Sequence, residues 1–306
     1  MKASAPGKVI LFGEHAVVYG HPALAIPVTQ VHVDVEVLDS SRRGIWIHAP
    51  GINLDAELNS LPDGHPVGSV ILNFFQRQGI PVPALDIAIE STIPVAAGLG
   101  SGAAVSVALV RALALHTANP LSDEQVNEFA YEIEKLHHGT PSGIDNTVIT
   151  YAKPVYFVKD MPAITFKAGK PFTIVIGDTG IPAPTKESVG SVRRLRMHDQ
   201  CAVENIFNEI EQITLIGRRS IESGKPELLG ELMDQNHEFL QALTVSSPEL
   251  DNLVKTARKA GALGAKLSGG GRGGNMIALV EQPKAQAVAG ALISAGAKHT
   301  IITEVS

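Results

Sequence analysis

With 306 residues, 44% of them hydrophobic, the chain has apolar material for about two packed cores, and whole-chain disorder is excluded. Its 25 basic and 31 acidic residues leave a formal net charge of −6, which excludes a broad nucleic-acid-binding surface but not a local anion pocket. The single cysteine, Cys201, excludes a disulfide framework or a multi-cysteine zinc site and suits a reducing cytoplasm.

The opening run, Ala5-Pro-Gly-Lys-Val-Ile-Leu-Phe-Gly-Glu-His-Ala-Val-Val-Tyr-Gly20, sets Lys8, Glu14 and His15 among apolar residues. It lacks the long apolar core of a secretory signal. Lys8 reads as a strand-edge charge or a functional cation, and Glu14-His15 as a hydrogen-bonded turn or a ligand contact. Val31 to Val37 and Asp86 to Glu90 alternate apolar and polar residues and predict two half-buried strands. Twenty uncharged residues then separate Glu90 from Arg111, about the length of a membrane span. Pro94, Gly98, Gly100 and Gly102 interrupt them, so the prediction is a strand, a glycine loop and a buried helix over 103–118, with no membrane span.

Ser122-Asp-Glu-Gln125 matches a capping box and starts a helix reaching about His138. A turn forced by Gly139, Pro141 and Gly143 follows, then a strand over 155–158 and a polar connection over 161–171. A strand over 172–177, long helices between 186 and 260, a second glycine cluster, a strand over 275–280, a helix over 283–295 and a strand over 300–305 complete the chain. No solenoid-period repeat is present. The pattern is α+β in two domains, 1–168 and 169–306.

Three constellations join the opening run as candidate chemistry. In Pro94-Val-Ala-Ala-Gly-Leu-Gly-Ser-Gly-Ala-Ala104, glycines at alternate positions let backbone N–H groups turn toward a ligand just where a helix begins, as an anion site requires. A tight strand-to-helix turn packed on small residues is the plain alternative, and neither the Walker pattern nor the dinucleotide fingerprint is present. In Ser268-Gly-Gly-Gly-Arg-Gly-Gly274, the Arg272 guanidinium suits a phosphate or carboxylate, against a simple flexible hairpin. In Glu134-Lys-Leu-His-His-Gly-Thr-Pro-Ser-Gly-Ile-Asp145, two carboxylates on a helix end and the next loop suit metal holding and action on a hydroxyl. From spacing alone, a solvated helix acid at Glu134 and a capping aspartate at Asp145 are the favoured reading. His137 and His138 point about 100° apart on a helix and make poor co-ligands.

Taken together, the four segments resemble the GHMP small-molecule kinase superfamily, and within it the mevalonate branch, over nearly the whole chain and in the expected order. Ala5 to Gly20 and His138-Gly-Thr-Pro-Ser-Gly-Ile-Asp-Asn146 are similar to segments of that branch. Pro94-x-x-x-Gly-Leu-Gly-Ser101 and Lys266-Leu-Ser-Gly-Gly-Gly-Arg-Gly-Gly274 resemble motifs of the superfamily. The resemblance implies a ribosomal S5 domain-2-like N-terminal domain and a ferredoxin-like C-terminal domain, with the active site in the cleft. It implies transfer of the ATP γ-phosphate to the C5 hydroxyl of (R)-mevalonate with Mg²⁺, in the cytoplasm, by a homodimer.

Carried over residue by residue, the resemblance makes Asp145 the base and Lys8 its cationic partner, which also stabilises γ-phosphate charge. Glu134 and Ser101 would hold Mg²⁺. Pro94, Ala97, Gly98, Leu99, Gly100, Ser101, Gly102, Ala103 and Ala104 would surround the ATP phosphates, with Gly270, Gly271 and Arg272 supporting them. Glu14, His15 and Thr185 would contact mevalonate. The chain departs from the pattern at Gly102, where many relatives carry a second serine, and at Arg272, where small residues usually continue. A kinase of the same fold acting on a sugar, on phosphomevalonate or on the mevalonate 3-hydroxyl is the runner-up. A non-catalytic paralogue that binds ATP and a metabolite is the reading from another class.

Overall fold

The computed structural model describes residues 1–94, 98–138, 142–183 and 185–306, with the backbone alone at His137 and His138. In chain order the regular elements are β1 (Lys2–Phe12), β2 (Ala23–Asp39), β3 (Ile45–Ala49), β4 (Leu54–Glu57), α1 (Pro66–Gln78), β5 (Leu85–Ser91), α2 (Ser101–His116), α3 (Asp123–His138), α4 (Ile144–Tyr151) and β6 (Val155–Phe157). They continue with β7 (Ile164–Thr165), β8 (Phe172–Asp178), α5 (Thr185–His198), α6 (Gln200–Glu222), α7 (Leu229–Ala242), α8 (Pro248–Lys259), β9 (Gly264–Ser268), β10 (Asn275–Val280), α9 (Ala285–Ser294) and β11 (His299–Val305). The chain divides into two compact units. Residues 1–7, 31–94 and 100–152 form the first, and 8–30, 98–99 and 153–306 the second. β1 and β2, which pair with each other, therefore run through both.

In the first unit, β2 pairs antiparallel with β5, β5 parallel with β3, and β3 antiparallel with β4. The predicted alternation is seen directly: Val31, Val33, Val35 and Val37 are buried, and the residues between them are not. Helix α2 is apolar nearly all round, as a helix enclosed by others must be, and it packs against α1, α3 and α4. The capping box at the start of α3 forms as expected. Gln125 N–H donates to Ser122 Oγ at 3.3 Å, and Ser122 N–H to Gln125 Oε1 at 2.9 Å.

Helix α4 lies where only a turn before a strand was expected. Its sequence, Ile-Asp-Asn-Thr-Val-Ile-Thr-Tyr, is rich in β-branched residues that disfavour helix. Packing overrides that preference. Six of its eight residues are buried, and Asn146 Nδ2 ties it to Asn127 of α3, with Oδ1 at 2.6 Å. The uncharged segment after Glu90 spans the end of β5 and the start of α2. Among the described residues no helix is long and apolar enough to cross a membrane.

In the second unit, β2 pairs with β6 and β6 with β7, a two-residue strand inside the expected polar connection. A separate antiparallel sheet has the order β11-β8-β10-β9. Strand, helices, two strands, helix, strand in that spatial order is the ferredoxin-like arrangement. Strands β8, β9 and β10 are buried at every position, so they lack alternation. Phe207, Leu250, Leu253, Val175 and Val288 belong to the core these strands share with the helices.

Candidate active site

The second unit carries a cluster built from the turn after β1. Gly13 makes that turn with φ of 97°, and a Cβ there would stand 2.4 Å from the carbonyl oxygen of Pro22, so only glycine fits. The chain then bends inward. Glu14 and His15 are 1% and 5% exposed, and His15 holds left-handed backbone at φ 63°. For a residue with a side chain that conformation costs on the order of 1 kcal/mol. A short 3₁₀ turn over Ala16–Tyr19 fixes it, with Val18 N–H donating to the His15 carbonyl at 3.2 Å.

Two partners reach this turn from β9 and the loop after it. Lys266, fully buried, places its ammonium on Glu14 Oε1 and also donates to the Leu267 carbonyl at 2.6 Å. Burial pushes the Glu14 carboxyl up and the Lys266 ammonium down, and each partner's charge opposes the shift of the other. His15 Nε2 stands 3.1 Å from the Gly270 carbonyl oxygen. A carbonyl only accepts, so Nε2 bears the hydrogen and Nδ1 the lone pair. Burial, with Arg272 and Lys266 adding to it, lowers His15 to about 4, so the ring is neutral at pH 7.

Gly270 also touches Thr185, since a Cβ at position 270 would lie 2.8 Å from Thr185 Oγ1. Glu14, His15 and Thr185, expected from the sequence to contact the acceptor, therefore lie together with Gly270, which was expected to support the phosphates. Gly271 approaches the 244–245 turn so closely that a Cβ would meet the Val245 carbonyl oxygen at 2.0 Å. Arg272, expected to support the phosphates, makes local contacts here. Its Nε and Nη2 both donate to the Thr244 carbonyl, at 3.3 and 3.2 Å, and its N–H donates to the Val245 carbonyl at 2.8 Å. It is a brace for the loop.

Lys8 is no strand-edge charge. It lies in the interior of β1, 4% exposed, and its N–H donates to the Leu99 carbonyl at 2.9 Å. Gly98, with φ of 77°, faces the Asn275 amide. Ala97, expected at the phosphates, lies outside the described residues, as do Gly139 and Pro141. Pro94 ends the described stretch after β5, half-buried.

In the first unit, Gly100 at φ 78° precedes α2 with no side-chain cap. The first N–H groups of a helix have no partner within it, and together with the helix dipole they favour an anion. Ser101 and Gly102 occupy that first turn, and the buried Ala103 and Ala104 follow. Glu134 is half-buried near the end of α3, and Asp145 half-buried in the first turn of α4. Helices α2, α3 and α4 pack on one another. Ser101, Glu134 and Asp145 thus come from the mutually packed helices of one unit.

Lys266 lies within a glycine-rich motif whose resemblance assigns it no role. The available signal was a lone lysine inside Gly264-Ala-Lys-Leu-Ser268, a strand too apolar to expose it. The support behind β9 was not legible either. Leu267 N–H donates to His237 Nδ1 at 3.3 Å, His237 Nε2 meets Asp251 Oδ1 at 3.1 Å, and Ser268 Oγ bridges both Ile10 N–H and the Ile10 carbonyl.

Family models place this chain. That of the GHMP kinases N terminal domain matches residues 66–153, and that of the GHMP kinases C terminal matches 218–298. The chain belongs to the GHMP kinase family, and it is a kinase. Its relatives carry a more particular name. It is 33% identical to the mevalonate kinase of Thermococcus sibiricus and 35% identical to that of Pyrococcus furiosus, in both cases over 99% of this chain and 96% of the relative. Among solved structures it resembles L. major mevalonate kinase in complex with R-mevalonate (TM-score 0.87, 28% identity, 100% of this chain and 96% of the other). It also resembles Methanococcus jannaschii mevalonate kinase (TM-score 0.86, 27% identity, 99% and 97%).

Proposed function

We propose that this chain is an ATP-dependent mevalonate kinase, converting (R)-mevalonate and ATP to (R)-5-phosphomevalonate and ADP in the cytoplasm. The observation that carries the reading is the end-to-end likeness to mevalonate kinases, one of them solved with R-mevalonate. The acceptor is assigned to Glu14, His15 and Thr185, and the ATP phosphates to Pro94, to Gly98 through Ala104 and to the Gly270–Gly271 loop.

In-line phosphoryl transfer needs positioning and charge neutralisation more than covalent catalysis. The C5 oxygen bonds to the γ-phosphorus as the bond to the ADP oxygen breaks, and Asp145 takes the hydroxyl proton. Lys8 stabilises charge on the transferred group. The hard oxygens of Glu134 and Ser101 suit Mg²⁺, which keeps several waters and needs one or two protein ligands. When bound, Mg²⁺ neutralises the ATP phosphates, and Glu134 and Ser101 would hold it there.

The test is ADP release with Mg²⁺-ATP against (R)-mevalonate, phosphomevalonate, galactose and homoserine, with the product identified by phosphorus NMR. Turnover on mevalonate with phosphate on the primary oxygen is the expected result. Phosphate on the tertiary oxygen, or preference for another acceptor, overturns the substrate assignment and leaves the family in place.

A further inference from the structure

Neither side chain of the Glu14–Lys266 pair has any surface in water. Stability alone does not explain such a pair, because packed apolar residues of the same volume usually hold a core as well or better. Its surroundings supply a different reason. Lys266 covers Glu14 Oε1, and the backbone N–H groups of Glu14 and Gly269 also favour the carboxylate, while Glu14 Oε2 and His15 Nδ1 are both buried with no geometric hydrogen-bond partner among the described residues. His15 has its other nitrogen on Gly270, which in turn abuts Thr185. Two orphaned acceptor atoms on adjacent residues mark a place where something else donates.

The lysine is itself well held. The Leu267 carbonyl takes a second hydrogen from its ammonium, and the Leu267 N–H is fixed by His237, backed by Asp251. The groups facing the pair are His15 from the turn after β1, Arg272 beyond it, and His237 on α7 with Asp251 and Arg258 behind it. Both histidines are neutral at pH 7, and the Lys266 ammonium is a cation in direct contact with Glu14.

We propose that Lys266 is a positioning residue of the acceptor site: its buried ammonium holds the Glu14 carboxylate ionised and fixed through Oε1, leaving Oε2 to accept from the bound acceptor. The proposal rests on the acceptor-site reading above for what the carboxylate meets. Without the lysine, a carboxyl in that surrounding takes up a proton and becomes a donor where an acceptor is needed.

Four variants decide it: Lys266→Met, Lys266→Arg, Glu14→Gln and the double variant. K266M should raise KM for the acceptor by about tenfold or more while KM for ATP stays within about twofold. K266R should recover part of the loss. E14Q/K266M should be no worse than E14Q, because a residue that acts through Glu14 has nothing left to act on. Infrared spectra at pH 7 should show a Glu14-dependent carboxylate band in the wild type and a protonated carboxyl in K266M.

A normal acceptor KM in K266M, losses that multiply in the double variant, or an ionised Glu14 in K266M overturns the proposal. If K266M does not fold, the comparison of E14Q/K266M with E14Q carries the test. A wild type that turns over no mevalonate sinks the acceptor reading alone. The infrared state of Glu14 still judges Lys266, and a protonated Glu14 in the wild type overturns it.

Discussion

Arg272 and Thr244 face each other with the same unusual backbone, φ 59° and 61°, and the arginine's guanidinium closes on the threonine's carbonyl through two donors. A glycine loop that would otherwise sample many conformations is braced at one residue. The brace has a cost, since a left-handed conformation is unfavourable for any residue with a Cβ.

That opposition predicts an order of stabilities. Arg272→Ala keeps the backbone strain and loses the guanidinium bonds, and should destabilise by about 1 to 2 kcal/mol. Arg272→Gly removes both the bonds and the strain, and should cost less than alanine. Because the guanidinium is engaged by Thr244, KM for ATP should move by less than about threefold in either variant. Urea melts and ATP titrations of the two variants check this. A large rise in KM for ATP, with stability unchanged, would assign Arg272 to the phosphates instead.

Asp145→Asn keeps shape and hydrogen-bonding capacity but cannot take a proton. ADP production should fall by about 10²- to 10⁴-fold, the range a positioned general base contributes. Nucleotide affinity should remain within about threefold. Steady-state turnover beside equilibrium binding of a non-hydrolysable ATP analogue separates the two effects. A parent chain with no turnover at all and intact nucleotide binding would favour the non-catalytic paralogue.

How much of this was legible in the sequence follows from which interactions are local. The capping box at Ser122 and Gln125 and the alternation through Val31, Val33, Val35 and Val37 are written in neighbouring residues, and both formed as read. Helix α4 was not legible, because its β-branched residues are held helical by burial against α2 and α3. At the candidate site, Glu14 and His15 could be singled out as polar residues in an apolar run. Lys266, which answers Glu14 from 252 positions away, could not, since nothing local links them. The contact of Arg272 with Thr244 was not legible for the same reason, its partner being 28 residues back in another turn.

Gly102 is a departure whose correction the structure permits. A Cβ there meets nothing within 4 Å, and the position lies in the first turn of α2. Gly102→Ser should therefore fold normally and gain about 0.5 kcal/mol from helix propensity. On the proposed reading it also adds a hydroxyl near Ser101, and the Mg²⁺ concentration for half-maximal activity should fall. Thermal unfolding and a Mg²⁺ titration of activity measure the two effects separately. An unchanged Mg²⁺ requirement would mean that position 102 does not face the ion.

Two buried histidines set the acid limit of the second unit. Burial lowers both His15 and His237 from 6.5 to about 4, against the pull of the Gly270 carbonyl on one and of Asp251 on the other. Between those values the unfolded chain binds a proton at each position that the folded chain does not. Stability therefore rises with pH through that window and is lost as pH falls toward 4. Each histidine should contribute up to about 1.4 kcal/mol per pH unit in the middle of the window. Unfolding free energies at pH 7, 6 and 5 should show this fall, and His237→Gln should shallow the slope by about one proton. Glutamine keeps a donor and an acceptor but does not titrate, so a slope identical to the wild type would show that His237 is already charged in the folded protein.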